Sequence, residues 1–256
     1  MSGRIQEYIG VKLAAFLEQP IKGYQPATPP DHEALSFSLR PGDIILVEGN
    51  SRVSSVIKYL TQSTWSHAMM YVGPVPGKFS PEGEPHVLVE ANLGIGVETS
   101  PLSRYRDAHV RVCRPIGISV RDRARVVAYM LERVGLEYDV KNITDMMRFL
   151  IPLPIPSRWR RRMLSMGSGQ PTRTICSTLI AQAFESVRYP ILPRIEAASD
   201  YSRKEILHIR HHSLFAPRDF DLSPYFAVVK PTIERGFDYK AMVWGDLAEG
   251  SVDADE

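Results

Sequence analysis

The apolar positions along the chain alternate between a helical and a strand period, and the predicted elements follow from that alternation. Over residues 4–17, Ile5, Ile9, Leu13, Phe16 and Leu17 recur at helical spacing, with Arg4, Glu7 and Lys12 elsewhere on the wheel: an amphipathic helix. Pro20, Pro26, Pro29 and Pro30 make 20–34 an extended connector. Arg40-Pro41-Gly42-Asp43 is a turn signature, Ile44-Ile45-Leu46-Val47 a short buried strand, and Val53, Val56, Ile57 and Leu60 mark a helix. Ser66 to Val72 reads as a strand ended by Gly73-Pro74, with His67, Met69 and Tyr71 on one face. After a Pro/Gly-rich loop over 74–85, His86 to Ala91 is another strand, in which His86, Leu88 and Glu90 face one way. Asn92-Leu93-Gly94 turns the chain back into Ile95 to Glu98 as a hairpin, and Val110 to Cys113 is a further strand. Near the C-terminal side, 217–230 holds a turn and the strand Phe226 to Val229, and Lys240 to Trp244 adds a segment before an acidic end.

One further helix carries the chemistry. Pro171 to Pro190 reads as a helix that Thr172 or Thr174 can cap, with Arg188 in its last turn and Pro190 ending it. Cys176 stands in the first turn, where unpaired N–H groups and the helix dipole favour negative charge and so the nucleophilic thiolate. Cys176 also begins an apolar stripe with Ile180, Ala183, Phe184 and Val187, so the helix by itself fits a core cysteine equally well. His67 at the start of an apolar strand has the same two readings. Glu90 lies inside Val87-Leu88-Val89-Glu90-Ala91, where an acid is costly without a cation or donors beside it. Glu98 is expected nearer solvent, and Cys113 is expected to pack beside Arg111 with no chemistry.

Composition narrows the picture. A chain of 256 residues, 44% hydrophobic and 23% charged, suits one large domain with appendages. A net charge of +2 does not point to nucleic acid. Two cysteines, Cys113 and Cys176, make neither a disulfide scaffold nor a zinc cluster. His208, His211 and His212 lack a companion carboxylate or cysteine pattern and are read as surface residues, so no metal and no cofactor is expected. With no secretory core and no apolar run of about 20 residues, the expectation is a cytoplasmic protein, peripheral to a membrane at most.

The order of motifs resembles a known family. Leu39 to Leu46 (LRPGDIIL), the helix after it, Ser63 to Gly73 (STWSHAMMYVG), His86 to Leu102 (HVLVEANLGIGVETSPL) and Val110 to Pro115 (VRVCRP) look like the circularly permuted NlpC-like papain-fold hydrolases, the YiiX-like group, which are related to the lecithin–retinol acyltransferases. Gly135 to Asp139 (GLEYD), the cysteine helix and Ala216 to Val229 (APRDFDLSPYFAVV) continue the match in the same order, so it covers roughly 37–230. The resemblance implies an α+β, permuted papain-like fold, with an antiparallel sheet packed against a central helix that carries the cysteine. It makes Cys176 the nucleophile, His67 the base and Glu90 the orienting third group, with Tyr138, Ser177, Asp43 and Trp65 close to the site. Where many relatives have an aromatic residue before the cysteine and a glutamate two positions after it, this chain has Ile175 and Thr178. The implied chain divides into 1–34 (helix and connector), 35–230 (catalytic domain, with 146–170 inserted) and 231–256 (extension with an acidic tail).

The inserted stretch is unusual. Met146-Met147-Arg148-Phe149-Leu150 runs into alternating proline over 152–156 and then into Arg158-Trp159-Arg160-Arg161-Arg162. An apolar, proline-stiffened segment beside an arginine cluster suits a membrane contact or a lid through Phe149, Trp159, Arg160, Arg161 and Arg162, and equally a loop packed on the core. The expected function is a thiol hydrolase or acyltransferase acting on an amide or ester bond of an acylated, lipid-like substrate or a peptide. A non-catalytic lipid- or peptide-binding module on the same fold, or a peptidase or amidase of cell-wall-type peptides, is the alternative.

Overall fold

In the computed structural model, the described residues are 31–92, 95–136, 175–197, 205–208 and 215–236, with 238 and 240. They hold helices α1 (His32–Ser38), α2 (Arg52–Thr61), α3 (Val120–Leu131), α4 (Ile175–Glu185), α5 (Arg218–Leu222) and α6 (Pro231–Arg235). The strands are β1 (Ile44–Glu48), β2 (His67–Tyr71), β3 (His86–Asn92), β4 (Gly96–Pro101), β5 (His109–Pro115), β6 (Arg194–Ala197), β7 (Glu205–His208) and β8 (Phe226–Val229). A short 3-10 turn, Leu102–Tyr105, follows β4. Six strands form one antiparallel sheet in the order β4-β3-β2-β1-β5-β8, and β6 pairs with β7 as a separate ribbon. The fold is α+β, as expected.

β1 is central because it is apolar on both faces. Ile44 and Leu46 enter one core layer with Ala68, Met70, Val89 and Cys113, together with Cys176, Ile180 and Phe184 of α4 and Val126 and Met130 of α3. Ile45 and Val47 enter the other layer with Met69, Leu88 and Val112, together with Leu35 of α1. A continuous apolar run is what a strand covered on both sides requires. The turn before it needs Gly42, whose φ of 92° lies in the left-handed region, and it closes when the Asp43 N–H donates to the Arg40 carbonyl at 2.9 Å.

Several elements differ from the sequence reading. The connector expected to run to 34 already turns helical at His32, because the Asp31 carboxylate accepts from the Glu33 and Ala34 N–H groups at 3.0 and 3.1 Å. α4 stops at Glu185, five residues short of Pro190, and Arg188 is not in its last turn: it sits beyond, at φ 55°, while the Tyr189 N–H returns to the Phe184 carbonyl. α3, α6 and the β6–β7 ribbon were not anticipated. The helix over 4–17, most of the connector, the caps Thr172 and Thr174, the insert 146–170 and the segment past Lys240 lie outside the described residues. No helix among the described residues is long and apolar enough to cross a membrane.

Candidate active site

β2 begins at His67 because Ser66 is still occupied in holding the turn, its hydroxyl accepting from the Gly49 N–H at 2.9 Å. β2 and β3 are antiparallel with Met69 opposite Glu90, so His67 and Glu90 lie diagonally across the pair on one face. The His67 Nε2 and a Glu90 carboxylate oxygen (Oε2) are 2.9 Å apart. α4 packs over β2 and β3 from the other face, alongside Ala68, Met70 and Val89. His67, the first residue of its strand, therefore stands where the two layers meet: it holds Glu90 on one side, and the Cys176 sulfur on the other is near enough to raise the pKa of the ring. Nε2 is committed to Glu90, which leaves Nδ1 for the sulfur.

Glu90 is densely partnered. Its side chain is 0% exposed, yet both oxygens are occupied. Oε2 accepts from the Tyr105 hydroxyl at 2.5 Å as well as from His67, and Oε1 accepts from the Ser100 hydroxyl at 2.5 Å and from the Arg104 guanidinium at 3.4 Å. Burial alone would push its pKa up. The bond and charge of His67, with the Ser100 and Tyr105 bonds, hold it instead at about 2. Burial likewise disfavours a charged His67, but the Cys176 sulfur and Glu90, as charges and as hydrogen-bond partners, raise its pKa to about 10. The His67 side chain keeps 19% of its surface open, so the ring can meet a ligand. Glu98 lies nearer solvent, as expected: it is part exposed and is held by Arg104 at 2.8 Å and by the Asn92 amide at 2.7 Å.

The remaining expected residues divide. Ser177 is fully buried, and its hydroxyl donates to the Phe215 carbonyl at 2.6 Å, so it anchors α4 and does not face a substrate. Trp65 is buried in the core layer of Cys176, its indole N–H donating to Asp221 at 3.0 Å and its ring carrying the Arg111 guanidinium at 5.0 Å. Asp43 is a correction. It lies beside Tyr71, at the end of the β1–β2 pair opposite to His67, which pairs with Val47. There it takes two bonds from Arg114, at 2.9 and 2.8 Å, and closes the turn through the Arg40 N–H. Tyr138, Phe149, Trp159, Arg160, Arg161 and Arg162 lie outside the described residues.

Cys113 is fully buried and its thiol is pushed up to about 12, first by burial and then by Asp221, against a lowering by Arg111, so the protonated thiol is favoured. Ser100, Arg104 and Tyr105 escaped the sequence reading. The signal for them was Glu90 itself, an acid in an apolar strand that had to find donors on the returning hairpin. Among the described residues no cluster of three or more His, Cys, Asp or Glu could hold a metal ion.

A thiol on a helix start, an imidazole on one strand and a carboxylate on the next form a Cys-His-Glu arrangement in which the histidine precedes the cysteine in the chain. In keeping with that, residues 38–149 match the family model described as the permuted papain-like amidase enzyme, YaeF/YiiX, C92 family, which bears out the resemblance read from the motifs. The matched segment contains His67 and Glu90 and ends before Cys176. No curated protein matches the chain. A solved structure described as metalloprotein yiiX from Escherichia coli O157:H7 is 16% identical, with 75% of this chain and 96% of that one covered and a TM-score of 0.44.

Proposed function

We propose that the protein is a cysteine-dependent hydrolase that cleaves an amide bond through a Cys176 thioester, with His67 as acid and base and Glu90 as the group that orients it. The observation that carries this reading is the continuous line from the Cys176 thiol through the His67 ring to a fully buried Glu90. The description of the matched family as an amidase supports the choice of bond.

The Cys176 sulfur adds to the substrate carbonyl carbon, and the developing oxyanion meets N–H groups of the first turn of α4, which have no intrahelical partners. Collapse forms the thioester and breaks the C–N bond, and the proton on His67 goes to the departing amine. Water then attacks the thioester while the neutral ring takes its proton. The acid leaves, and the thiolate and imidazolium are restored. The finer reading is an acylated or lipid-linked substrate, and it rests on the sequence of the 146–164 segment with its apolar run and arginines.

The test is thiol reactivity followed by substrate profiling. Cys176 is expected to react with iodoacetamide at pH 6, His67→Ala to lose most of that labelling with the fold intact, and Glu90→Gln to fall between the two. No labelling of native Cys176, or labelling that persists unchanged in His67→Ala, overturns the reading. Acyl amide and acyl ester probes of varied chain length, with and without an amine acceptor, then separate bond, substrate and acyl transfer. Binding without turnover in every arm would leave a non-catalytic module.

A further inference from the structure

Glu90 meets more donors than a third member of such a site needs. One bond to His67 suffices to fix the ring, yet three further side chains converge on the same carboxylate from β4 and the turn after it. We propose that Ser100, Arg104 and Tyr105 form a cradle that keeps Glu90 an ionised carboxylate turned toward His67 in both protonation states of that ring. This inference rests on the function proposed above and makes the three positioning residues.

The argument begins with lone pairs. A carboxylate offers about four acceptor sites, two on each oxygen. Ser100 and Arg104 fill those of Oε1, and His67 and Tyr105 fill those of Oε2. Arg104 has no acceptor to offer in return, and burial beside Glu90 holds the Tyr105 hydroxyl well above its ordinary value, so it stays protonated and able to donate. The site is built around an acceptor, and a proton on Glu90 would displace one of these donors.

Charge gives the cradle its task. When His67 hands its proton to a leaving group, the wholly buried Glu90 loses its cationic neighbour. An isolated buried carboxylate would then draw a proton. Protonated Glu90 would donate to Nε2 and leave the hydrogen on Nδ1, the nitrogen that must next accept a proton from water. The ring would be in the wrong tautomer at the moment it acts as base. Arg104 supplies the remaining positive charge, itself steadied by Glu98, and the two hydroxyls spread the negative charge over both oxygens. The charged and titratable groups facing Glu90 are thus His67, Arg104, Tyr105 and, through Arg104, Glu98, with Cys176 reached through His67. The Tyr105 ring also lies roughly parallel to the His67 ring, with centroids 6.4 Å apart, so Tyr105→Phe removes the donor and keeps the ring.

Peptide-resolved iodoacetamide labelling of Cys176 across pH 5–9 tests this in wild type, Tyr105→Phe, Ser100→Ala, Glu90→Gln and Tyr105→Phe/Glu90→Gln, with ring titration of His67 followed by NMR. Tyr105→Phe is expected to slow labelling at pH 6 on the order of ten-fold, the weight of one charge-assisted hydrogen bond, and to lower the His67 pKa. Ser100→Ala is expected to act in the same direction, and it carries the test if Tyr105→Phe does not fold. In the Glu90→Gln background, Tyr105→Phe is expected to change nothing further, because its effect passes through the carboxylate. Unchanged or faster labelling with a raised His67 pKa would show that the hydroxyl merely competes with His67 for Oε2, and would overturn the cradle. An equal loss in the Glu90→Gln background would reduce Tyr105 to a structural residue. Absence of labelling in wild type strikes at the proposed function instead, and the His67 titration still decides the cradle.

Discussion

Asp43 and Glu90 are buried carboxylates of the same sheet, and their partners assign them different work. Asp43 is bound by Arg114 through two short bonds and by a turn N–H, at the end of the β1–β2 pair opposite to His67. Asp43→Asn removes the charge and leaves Arg114 half-paired in a site where the two side chains are 2% and 14% exposed. It is expected to cost about 2–4 kcal/mol in a denaturant titration. At pH 6 the labelling rate of Cys176 in the folded variant should match wild type, and a slowed rate would place Asp43 back in the site. Glu90 was legible in the sequence because an acid in an apolar run demands partners. Asp43 was misplaced because its motif says that it belongs to a turn, and only the strand register says at which end of the sheet that turn lies. Glu90 signalled that donors must exist but not that they would be Ser100 and Tyr105, since a serine and a tyrosine are unremarkable until β3 and β4 pair and the 3-10 turn brings Tyr105 to Glu90.

At the scale of elements, strands with unbroken apolar runs and helices beside strong turns were recovered nearly residue for residue, because their period is carried by many positions. α3 was not. It has only Val126 and Met130 fully buried, and charged residues crowd its first two turns, so its apolar stripe is thin. What starts it is a cap: the Ser119 hydroxyl accepts from the Asp122 N–H at 3.0 Å. Ser119→Ala is expected to lower stability by about 1 kcal/mol in thermal or denaturant unfolding. Met130→Ala, which opens a cavity at the α3–α4 contact, is expected to lower it by about 2–5 kcal/mol. If α3 serves α4 only as a buttress, neither folded variant changes the pH at which Cys176 labels. A shift in that pH would mean that α3 also sets the aim of the thiol.

For the whole molecule, the site leaves a signature in stability against pH. The His67 pKa is raised from 6.5 to about 10 on folding, so its contribution is complete below about 6.5 and is lost as the pH rises toward 10. The Glu90 pKa is lowered from 4.5 to about 2, so its contribution is complete above about 4.5 and is lost as the pH falls toward 2. Both contributions are whole only between about pH 4.5 and 6.5, and unfolding temperatures should peak in that window. Cys113 complicates the alkaline side: a thiol held protonated to about 12 disfavours the folded state once the pH exceeds its ordinary 9.0. The decisive comparison is therefore the slope from pH 6.5 to 9 and, on the acid side, from 4.5 down. His67→Ala should flatten the first slope and, because the ring is also the leading partner that holds Glu90 ionised, blunt the second. Glu90→Gln should flatten the acid slope and leave part of the alkaline one, which Cys176 continues to support through His67. Melting curves of the three proteins at constant ionic strength check this. An alkaline slope that survives unchanged in His67→Ala would mean that the imidazole does not hold its proton in the folded protein, and that the line from Cys176 to Glu90 is a packing arrangement without the charge that catalysis needs.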